Sequence, residues 1–289
     1  MTHPTLQRHT ISDAVKPLQS LLNRVGAMLS VDGDFGPGTE RGVRFAQEAA
    51  NQTVTGIAGS ELWQWLEAQP EPFERLNTDG IAFIAREETG GLAFYERFTK
   101  WPHYPGHASG ITIGVGYDLR FHSLDAFEND WGELLSQEVV NELSKDIGHK
   151  GNRQRSDELK ELDINIPFTA AWQVFSRYTI PNFFTQTESI YPSISTLPKP
   201  LRSVLVSLVY NRGTSLNGSR RREMRNIQQI LQEAENSGLS ETERKTILNR
   251  VEDEILSMQR LWSTSSGLNK RRQAEANMWR QALHQWQDV

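Results

Sequence analysis

The sequence of 289 residues contains no cysteine, and this absence excludes several kinds of chemistry. Disulfide bonds, thiol nucleophiles, thiolate-bound metals and iron–sulfur clusters all require cysteine. Any catalysis by this chain therefore has to use other side chains, and its fold has to be held by packing and hydrogen bonds.

Long apolar runs and a strong charge of one sign are also missing. No apolar stretch is long enough for a membrane-spanning helix, and the N-terminus lacks the apolar core of a signal peptide. The formal net charge is −5, from 31 Lys and Arg against 36 Asp and Glu, so a general attraction to nucleic acid is not expected. We expect a monomer that is made in the cytoplasm without a signal peptide and inserts into no membrane.

The residues that are present suffice for a folded, mainly helical protein. Hydrophobic residues make up 37% of the chain, and 8 Trp and 12 Phe can fill a core. Helical spacing of apolar residues dominates, and the exception is a β-like stretch at 110–119. A polar segment with two prolines at 67–74 indicates a domain boundary. We predict an N-terminal three-helix domain over 1–68, a linker over 69–78 and a mainly α domain with a small β region over 79–289.

The first motif is Val-Asp-Gly-Asp-Phe-Gly-Pro-Gly-Thr at 31–39, within a compact helical segment at 11–66. Together with Val-Arg-Phe at 43–45 and Leu-Trp at 62–63, it resembles the small three-helix peptidoglycan-binding domain. The resemblance implies that peptidoglycan glycan strands are the binding partner, with Asp32 and Gly33 as candidate contacts. The alternative is that Asp32 and Gly33 only form a turn.

The second motif is a capped helix, Thr-Asp-Gly-Ile-Ala-Phe-Ile-Ala-Arg-Glu-Glu-Thr at 78–89, which stops at Gly90 and Gly91. Glu87 and Glu88 therefore lie in its last turn, where the helix dipole disfavours a negative charge. With partial burial added, we expect a carboxyl whose raised pKa keeps a proton near neutral pH, as a general acid requires.

The third motif is Ser-Gly-Ile-Thr-Ile-Gly-Val-Gly-Tyr-Asp-Leu at 109–119, which alternates with period two. It predicts a strand with Thr112, Gly114, Gly116 and Asp118 on one face. Because the glycines would clear the middle of that face, a sugar ring could lie against it. A carboxylic acid, a second carboxylate and a hydroxyl that positions water form the kind of set that glycoside hydrolysis uses.

These motifs together resemble the phage-type lysozymes of glycoside hydrolase family 24 and the related muramidase domain of pesticin. Segments at 205–213 and 267–275 resemble later helices of the same fold. The wider stretch at 101–119 also resembles a group of phage and bacterial lysozyme-like proteins, in which the first glutamate is the shared one, so we prefer Glu87 over Glu88 as the acid. Classical members carry Glu, Asp and Thr in that order, whereas this chain has Glu, Thr and Asp. The role of Asp118 is therefore open, with Glu96 as the alternative second carboxylate.

Further residues are candidates for substrate contacts. Trp101 and Tyr104 lie in a long loop and are candidates for stacking on sugar rings, with Tyr117 as a third aromatic contact. Asn211 and Arg212 are candidates for substrate binding, although a structural role is the alternative. A proline and a glycine break the helical spacing of His103 and His107, which argues against a zinc site, and no metal or organic cofactor is expected.

The predicted activity is that of a muramidase, which cleaves the β-1,4 bond between N-acetylmuramic acid and N-acetylglucosamine. Three alternatives are a non-hydrolytic wall-binding or phage structural protein with a decayed lysozyme fold, a lytic transglycosylase, and an enzyme with a chitinase-like substrate. The sequence also leaves open a phage endolysin released through a membrane lesion, an injected antibacterial effector with an immunity protein as partner, or a housekeeping hydrolase. It does not decide between retention and inversion, which depends on the separation of the carboxylates.

Overall fold

The structure is a computed structural model that describes residues 3–286. Helices dominate this part of the chain, and its strands form one short hairpin. The predicted fold class, mainly α with a small β region and a three-helix N-terminal domain, is confirmed.

The chain forms two compact units. The first contains the residues up to Phe73 together with Ile81–Ile180, and the second contains Glu74–Gly80 and the residues from Pro181 onward. The first unit thus combines the N-terminal helical segment with the segment that carries the proposed acid and the hairpin. The boundaries drawn from the sequence, at 68/69 and 78/79, remain a prediction.

Three helices form the N-terminal part of the first unit: α1 (Val15–Arg24), α2 (Pro37–Ala49) and α3 (Ser60–Glu67). α2 starts with Pro37, which suits a first helical position because the missing N–H would have no partner there. The apolar side chains that recur along the three helices meet in one core, which includes Val15, Leu18, Leu22, Phe35, Val43, Ala46, Leu62, Trp63 and Leu66.

Two buried glutamines hold the loops that connect these helices. Gln19 of α1 accepts hydrogen bonds from the backbone N–H groups of Asp32 and Gly33, both at 3.0 Å. Gln47 of α2 accepts from the N–H groups of Thr55 and Gly56, both at 2.9 Å. Both glycines have positive φ, +83° and +78°, which side chains with a Cβ rarely adopt. Each loop is therefore closed around one side-chain amide.

The rest of the first unit consists of short helices and the hairpin. In chain order the elements are α4 (Thr78–Thr89), α5 (Leu92–Phe94), a π-helical turn (Tyr95–Thr99), β1 (Thr112–Ile113), β2 (Tyr117–Asp118), a 3₁₀ turn (Leu119–Phe121), α6 (Leu124–Trp131), α7 (Gln137–Ser144), α8 (Arg153–Glu161), α9 (Phe168–Val174) and a second π-helical turn (Phe175–Thr179).

In its described residues the second unit contains the five helices α10 to α14, and α10 begins at the last residue of the first unit. The elements are α10 (Ile180–Ile190), a 3₁₀ turn (Pro192–Thr196), α11 (Lys199–Arg212), a 3₁₀ turn (Ser219–Arg221), α12 (Arg222–Glu233), α13 (Glu241–Ser257), a 3₁₀ turn (Met258–Leu261) and α14 (Gly267–Gln285). α11 is buried along most of its length, and α14 packs against both α11 and α13. A capping box between Ser240 and Glu243 defines the start of α13.

A buried carboxylate joins α11 to α14. Glu275 is fully buried and lies between Arg271 and Arg272, with the Arg272 Nε to Glu275 Oε2 distance at 2.7 Å. Ser207 of α11 donates to Glu275 Oε1 at 2.5 Å, and Arg271 donates to Ser207 Oγ at 3.2 Å. Because a buried charge is strongly unfavourable without partners, this network ties the two helices in one arrangement.

A helix that crosses a bilayer has about 20 residues and a predominantly apolar composition. Between residues 3 and 286, none combines the length and the apolar composition that a membrane span needs.

We expect Glu275→Gln to lower the free energy of unfolding by about 3–5 kcal/mol, because two buried guanidinium groups would lose their carboxylate. Denaturant titration measures this change. The matched control is Glu233→Gln, which removes a half-exposed carboxylate paired with Arg250 and should cost at most about 1 kcal/mol. Equal losses in the two variants would contradict the role of the buried network.

Candidate functional site

The loop after α1 contains the first two predicted contacts. Asp32 is exposed, and its Oδ1 accepts from Gln19 Nε2 at 2.8 Å and from the N–H of Asp34 at 2.9 Å. Gly33 is buried in the turn. Both residues therefore help to build the loop, and their predicted contact with the wall remains a prediction.

The last turn of α4 contains both candidate acids. The helix ends at Thr89, and Gly90 and Gly91 follow with φ of +77° and +89°, as the double glycine predicts. Glu87 and Glu88 are both exposed. The partial burial expected from the sequence is therefore wrong, because Ala85 and Thr89 form the buried side of the last turn and the two glutamates fall on its solvent side.

The loop of the N-terminal segment lies against this same turn. Arg86 Nη1 donates to Ser30 Oγ at 2.7 Å, and Thr89 Oγ1 donates to Met28 Sδ at 3.3 Å. Burial lowers the pKa of Arg86, and the negative charges of Glu87 and Asp32 act in the opposite direction. Asp32 and Glu87 therefore both lie within electrostatic range of one guanidinium group.

The segment at 110–119 is a hairpin and not the continuous strand that its alternation predicts. β1 and β2 have two residues each, and Gly114 and Gly116 lie in the turn with φ of +56° and +74°. The would-be Cβ of Gly114 is 2.8 Å from the ring of Trp131. The prediction of a glycine-cleared face is therefore wrong, because the chain's own tryptophan occupies the space at Gly114.

Thr112 and Asp118 are nevertheless brought together, since they are direct partners in the hairpin register. Thr112 is buried, and its backbone also pairs with His103 on the other side, with N–O distances of 2.8 and 3.0 Å. The carboxylate of Asp118 accepts from the N–H of Gly110 at 2.9 Å and from the N–H of Arg120 at 3.0 Å. Asp118 thus caps the following 3₁₀ turn and anchors the preceding loop.

An aromatic and imidazole cluster lies beside the hairpin. Tyr117 is buried, its ring stacks on His122 with centroids 3.7 Å apart, and its hydroxyl donates to Asp130 Oδ2 at 3.0 Å. Burial lowers the pKa of His122, which the charges of Asp130 and Asp118 partly offset. Burial also lowers the pKa of His103. Two imidazoles that are neutral at neutral pH thus flank Thr112 and Asp118.

The sequence interpretation missed His103 and His122 as parts of this site. It considered His103 only as a zinc ligand, and it did not discuss His122. One feature of the sequence could have indicated this cluster. Asp118 can cap a turn, and such a turn brings the residues that follow it, including His122, back toward Tyr117. Within residues 3–286 no group of three His, Asp or Glu side chains has the arrangement of a metal site.

The loop at 101–110 contains the predicted stacking residues. Trp101 is half-buried, and the amino groups of Lys100 and Lys160 lie 4.7 and 5.8 Å from its ring centroid. Tyr104 donates to the carbonyl of His107 at 3.0 Å. Glu96, the alternative second carboxylate, is exposed in the first π-helical turn.

A cavity of about 400 Å³ lies within the first unit, beside the N-terminal helices. Phe45, Trp65 and Trp172 form its aromatic walls, and the charged groups are Arg177 and the ion pair of Arg24 with Glu71. Trp172 Nε1 donates to the carbonyl of Arg24 at 2.9 Å, which fixes that wall. Aromatic walls with a few polar groups are typical of ligand pockets. The sequence analysis did not predict this cavity.

Two predicted contacts lie in the second unit. Asn211 is half-buried, and its Oδ1 accepts from Arg272 Nη2 at 3.3 Å. Arg212 is buried, and its Nη2 donates to the carbonyl of Arg220. Both residues line a separate cavity of this unit.

Comparison with known protein families adds two matches. Residues 12–66 match the model of a putative peptidoglycan binding domain. Residues 83–175 match a model described as a domain of unknown function (DUF8812). No curated protein matches the chain. The first match covers α1 to α3 and supports a cell-wall-associated protein with peptidoglycan as its binding partner.

We expect Gly114→Ala to lower the free energy of unfolding by about 1–3 kcal/mol, because an added methyl group would collide with Trp131 at a positive φ. Thermal or denaturant unfolding measures the loss. Gly148→Ala is the control, since Gly148 has a similar φ of +75° and no atom within 4 Å of its would-be Cβ. A loss in Gly114→Ala no larger than in the control would contradict the packing argument.

We also expect the folded-state pKa of His103 and His122 to lie below 6.5, which NMR titration measures. Because the unfolded chain then binds protons more readily, these groups make stability fall as pH decreases through the window below 6.5. His122→Phe keeps a ring against Tyr117 and removes the titrating group, so its stability should depend less on pH there. An unchanged pH dependence would contradict the prediction for His122.

Proposed function

We propose that this protein is a peptidoglycan hydrolase that cleaves the β-1,4 bond between N-acetylmuramic acid and N-acetylglucosamine. The observation that carries the proposal is the contact between the peptidoglycan-binding segment and the last turn of α4. Ser30 of the binding segment accepts from Arg86, and the adjacent residue is Glu87. A glycan strand held by the binding segment would thereby be delivered to an exposed carboxyl group.

In this proposal Glu87 protonates the glycosidic oxygen as the leaving group departs. Asp118 is the second carboxylate, which stabilises the positive charge that develops on the sugar, and Glu96 is its alternative. Thr112, the hairpin partner of Asp118, places the attacking water. Peptidoglycan-binding domains are commonly paired with hydrolytic domains, which is consistent with this assignment.

The substrate is polymeric, and the binding segment increases the local concentration of the chain on it. Sugar rings would stack on accessible aromatic surface, for which the partly exposed Trp101, Tyr104 and Trp65, a residue of the 400 Å³ cavity, are the candidates. The binding segment and the proposed acid belong to one compact unit, so attachment and cleavage would act on neighbouring parts of one strand.

A second candidate function is a wall-binding protein without hydrolytic activity. It is favoured by the contacts of Asp118, whose carboxylate already accepts three hydrogen bonds from the N–H groups of Gly110 and Arg120. A carboxylate that holds a loop in this way has a sufficient structural role without any chemistry.

We expect Glu87→Gln to lower the rate of glycan cleavage by about 10²–10⁴-fold, because the amide cannot donate the proton. Binding to insoluble peptidoglycan should remain, since the binding segment is unchanged. Mass analysis of the digested wall measures cleavage through the new reducing ends, and anhydro ends would instead identify a lytic transglycosylase.

Glu88→Gln is the matched control, because Glu88 is also exposed in the same helical turn. It should retain cleavage. If Glu87→Gln digests the wall as the unmodified protein does, Glu87 is not the acid. If neither the variants nor the unmodified protein forms new sugar ends, the non-hydrolytic function is the correct one.

A further inference from the structure

A cavity of about 550 Å³ in the second unit lies at the end of α11 and has a strongly basic lining. The residues that define its chemistry are Asn211, Arg212, Asn217, Arg220, Arg221 and Trp262. None of the described residues that line it is acidic. Three arginines thus share one cavity without a carboxylate in its wall.

Arg212 is the central group of this cavity. Its side chain is only 8% exposed, and its guanidinium carbon is 5.4 Å from the centroid of the Trp262 ring. Its Nη2 donates to the carbonyl of Arg220, whereas its Nε has no hydrogen-bond partner among residues 3–286. A buried donor without a partner is unfavourable, and here it belongs to a charged group.

The charges around Arg212 leave its own charge uncompensated. Burial together with the neighbouring charges of Arg221, Arg272 and Arg220 lowers the pKa of Arg212 to about 10, and Glu223 acts in the opposite direction. Glu223 is itself occupied, since Arg260 Nε lies 2.6 Å and Arg222 Nη2 lies 3.0 Å from its Oε1. Arg212 remains protonated at neutral pH, and the cavity keeps a net positive charge.

The loop that forms the cavity wall is held in place before any ligand binds. Arg225 donates to the carbonyl groups of Leu216 and Gly218, and Arg260 donates to the carbonyl of Ser219 at 2.7 Å. Because these carbonyl oxygens are already paired, the loop is anchored and Arg220 and Arg221 are presented on a fixed backbone. A preformed site loses little conformational entropy on binding.

We propose that this cavity binds an oxyanion, a carboxylate or a phosphate, through Arg212 and Arg221 with Arg220 at its entrance. Guanidinium groups match the planar or tetrahedral oxygens of such anions, and the free Nε of Arg212 supplies one donor. For a protein that binds the cell wall, the carboxylates of the peptide stems and the phosphodiesters of other wall polymers are the two sources of this group.

Calorimetric titration of the full chain tests the proposal. The probes are inorganic phosphate, a disaccharide tetrapeptide from peptidoglycan, and the same muropeptide with its carboxylates esterified. All titrations use the Glu87→Gln background, so the result does not depend on glycan cleavage. The peptidoglycan-binding segment is the same in every variant, so differences between variants report on this cavity.

Arg221→Gln should weaken binding of the anionic probe about tenfold or more, because a charge-assisted hydrogen bond is lost. Arg212→Lys, which keeps the charge and loses the Nε donor at that position, should also weaken it. The matched control is Arg222→Gln, an exposed neighbour whose loss leaves Glu223 paired with Arg260. It should bind as the unmodified protein does.

The probes separate the two sources of the anion. Loss of muropeptide binding on esterification, together with sensitivity to Arg221→Gln, identifies the stem carboxylate. The phosphate group is identified if Arg221→Gln weakens the binding of phosphate while the free and the esterified muropeptide bind equally. The proposal is overturned if no probe distinguishes Arg221→Gln from Arg222→Gln, and unchanged folding of both variants, checked by circular dichroism, keeps that comparison valid.

Discussion

The buried carboxylate of Glu275 is the interaction on which the second unit depends. It binds two arginines of its own helix and a serine of α11, so α11 and α14 can pack closely only where all these groups are satisfied. Arg272 also donates to Asn211, and the next residue of the chain is Arg212. The network that specifies the packing of the helices therefore also positions the part of the basic cavity that Asn211 and Arg212 line. Replacing it by apolar residues would preserve the packing volume and lose this positioning.

In the N-terminal helices, neutral side-chain amides fix the local structure, as the Glu275 carboxylate does in the second unit. Gln19 and Gln47 each offer an acceptor to two consecutive backbone N–H groups and donors to the carbonyl that follows. The loop with Asp32 and Gly33 is thereby rigid, and Ser30 beside it can form a defined contact with Arg86. The loop belongs to the segment that matches the peptidoglycan-binding family, and it touches the turn that carries Glu87. A fixed loop would therefore link binding of the wall to the proposed acid.

The hairpin shows why a correctly identified motif can still give a wrong prediction of the local structure. Glycine at positions 110, 114 and 116 is compatible with a strand and equally with a turn of positive φ, since glycine adopts both conformations. The choice depends on Trp131, which lies in a helix that follows and fills the space beside Gly114. Thr112 and Asp118 become neighbours only because the chain turns and the two residues pair across the hairpin. In a continuous strand, six residues at about 3.3 Å each would separate them. The two histidines of this region carry no periodic signal, so only the folded chain reveals that they flank the pair.

The sequence by itself determined the helical fold class, the three-helix segment that matches a peptidoglycan-binding family, and the end of α4 at its double glycine. These features are local, since they follow from spacing, capping and backbone preference over fewer than about twenty residues. The tertiary structure alone decided that Glu87 is exposed, that Asp118 holds a loop and that Arg212 is buried with an unpartnered donor. Burial and pairing are set by residues far apart in the chain, as in the hydrogen bonds from Trp172 to Arg24 and from Ser207 to Glu275. No local pattern in the sequence specifies which distant group forms such a contact.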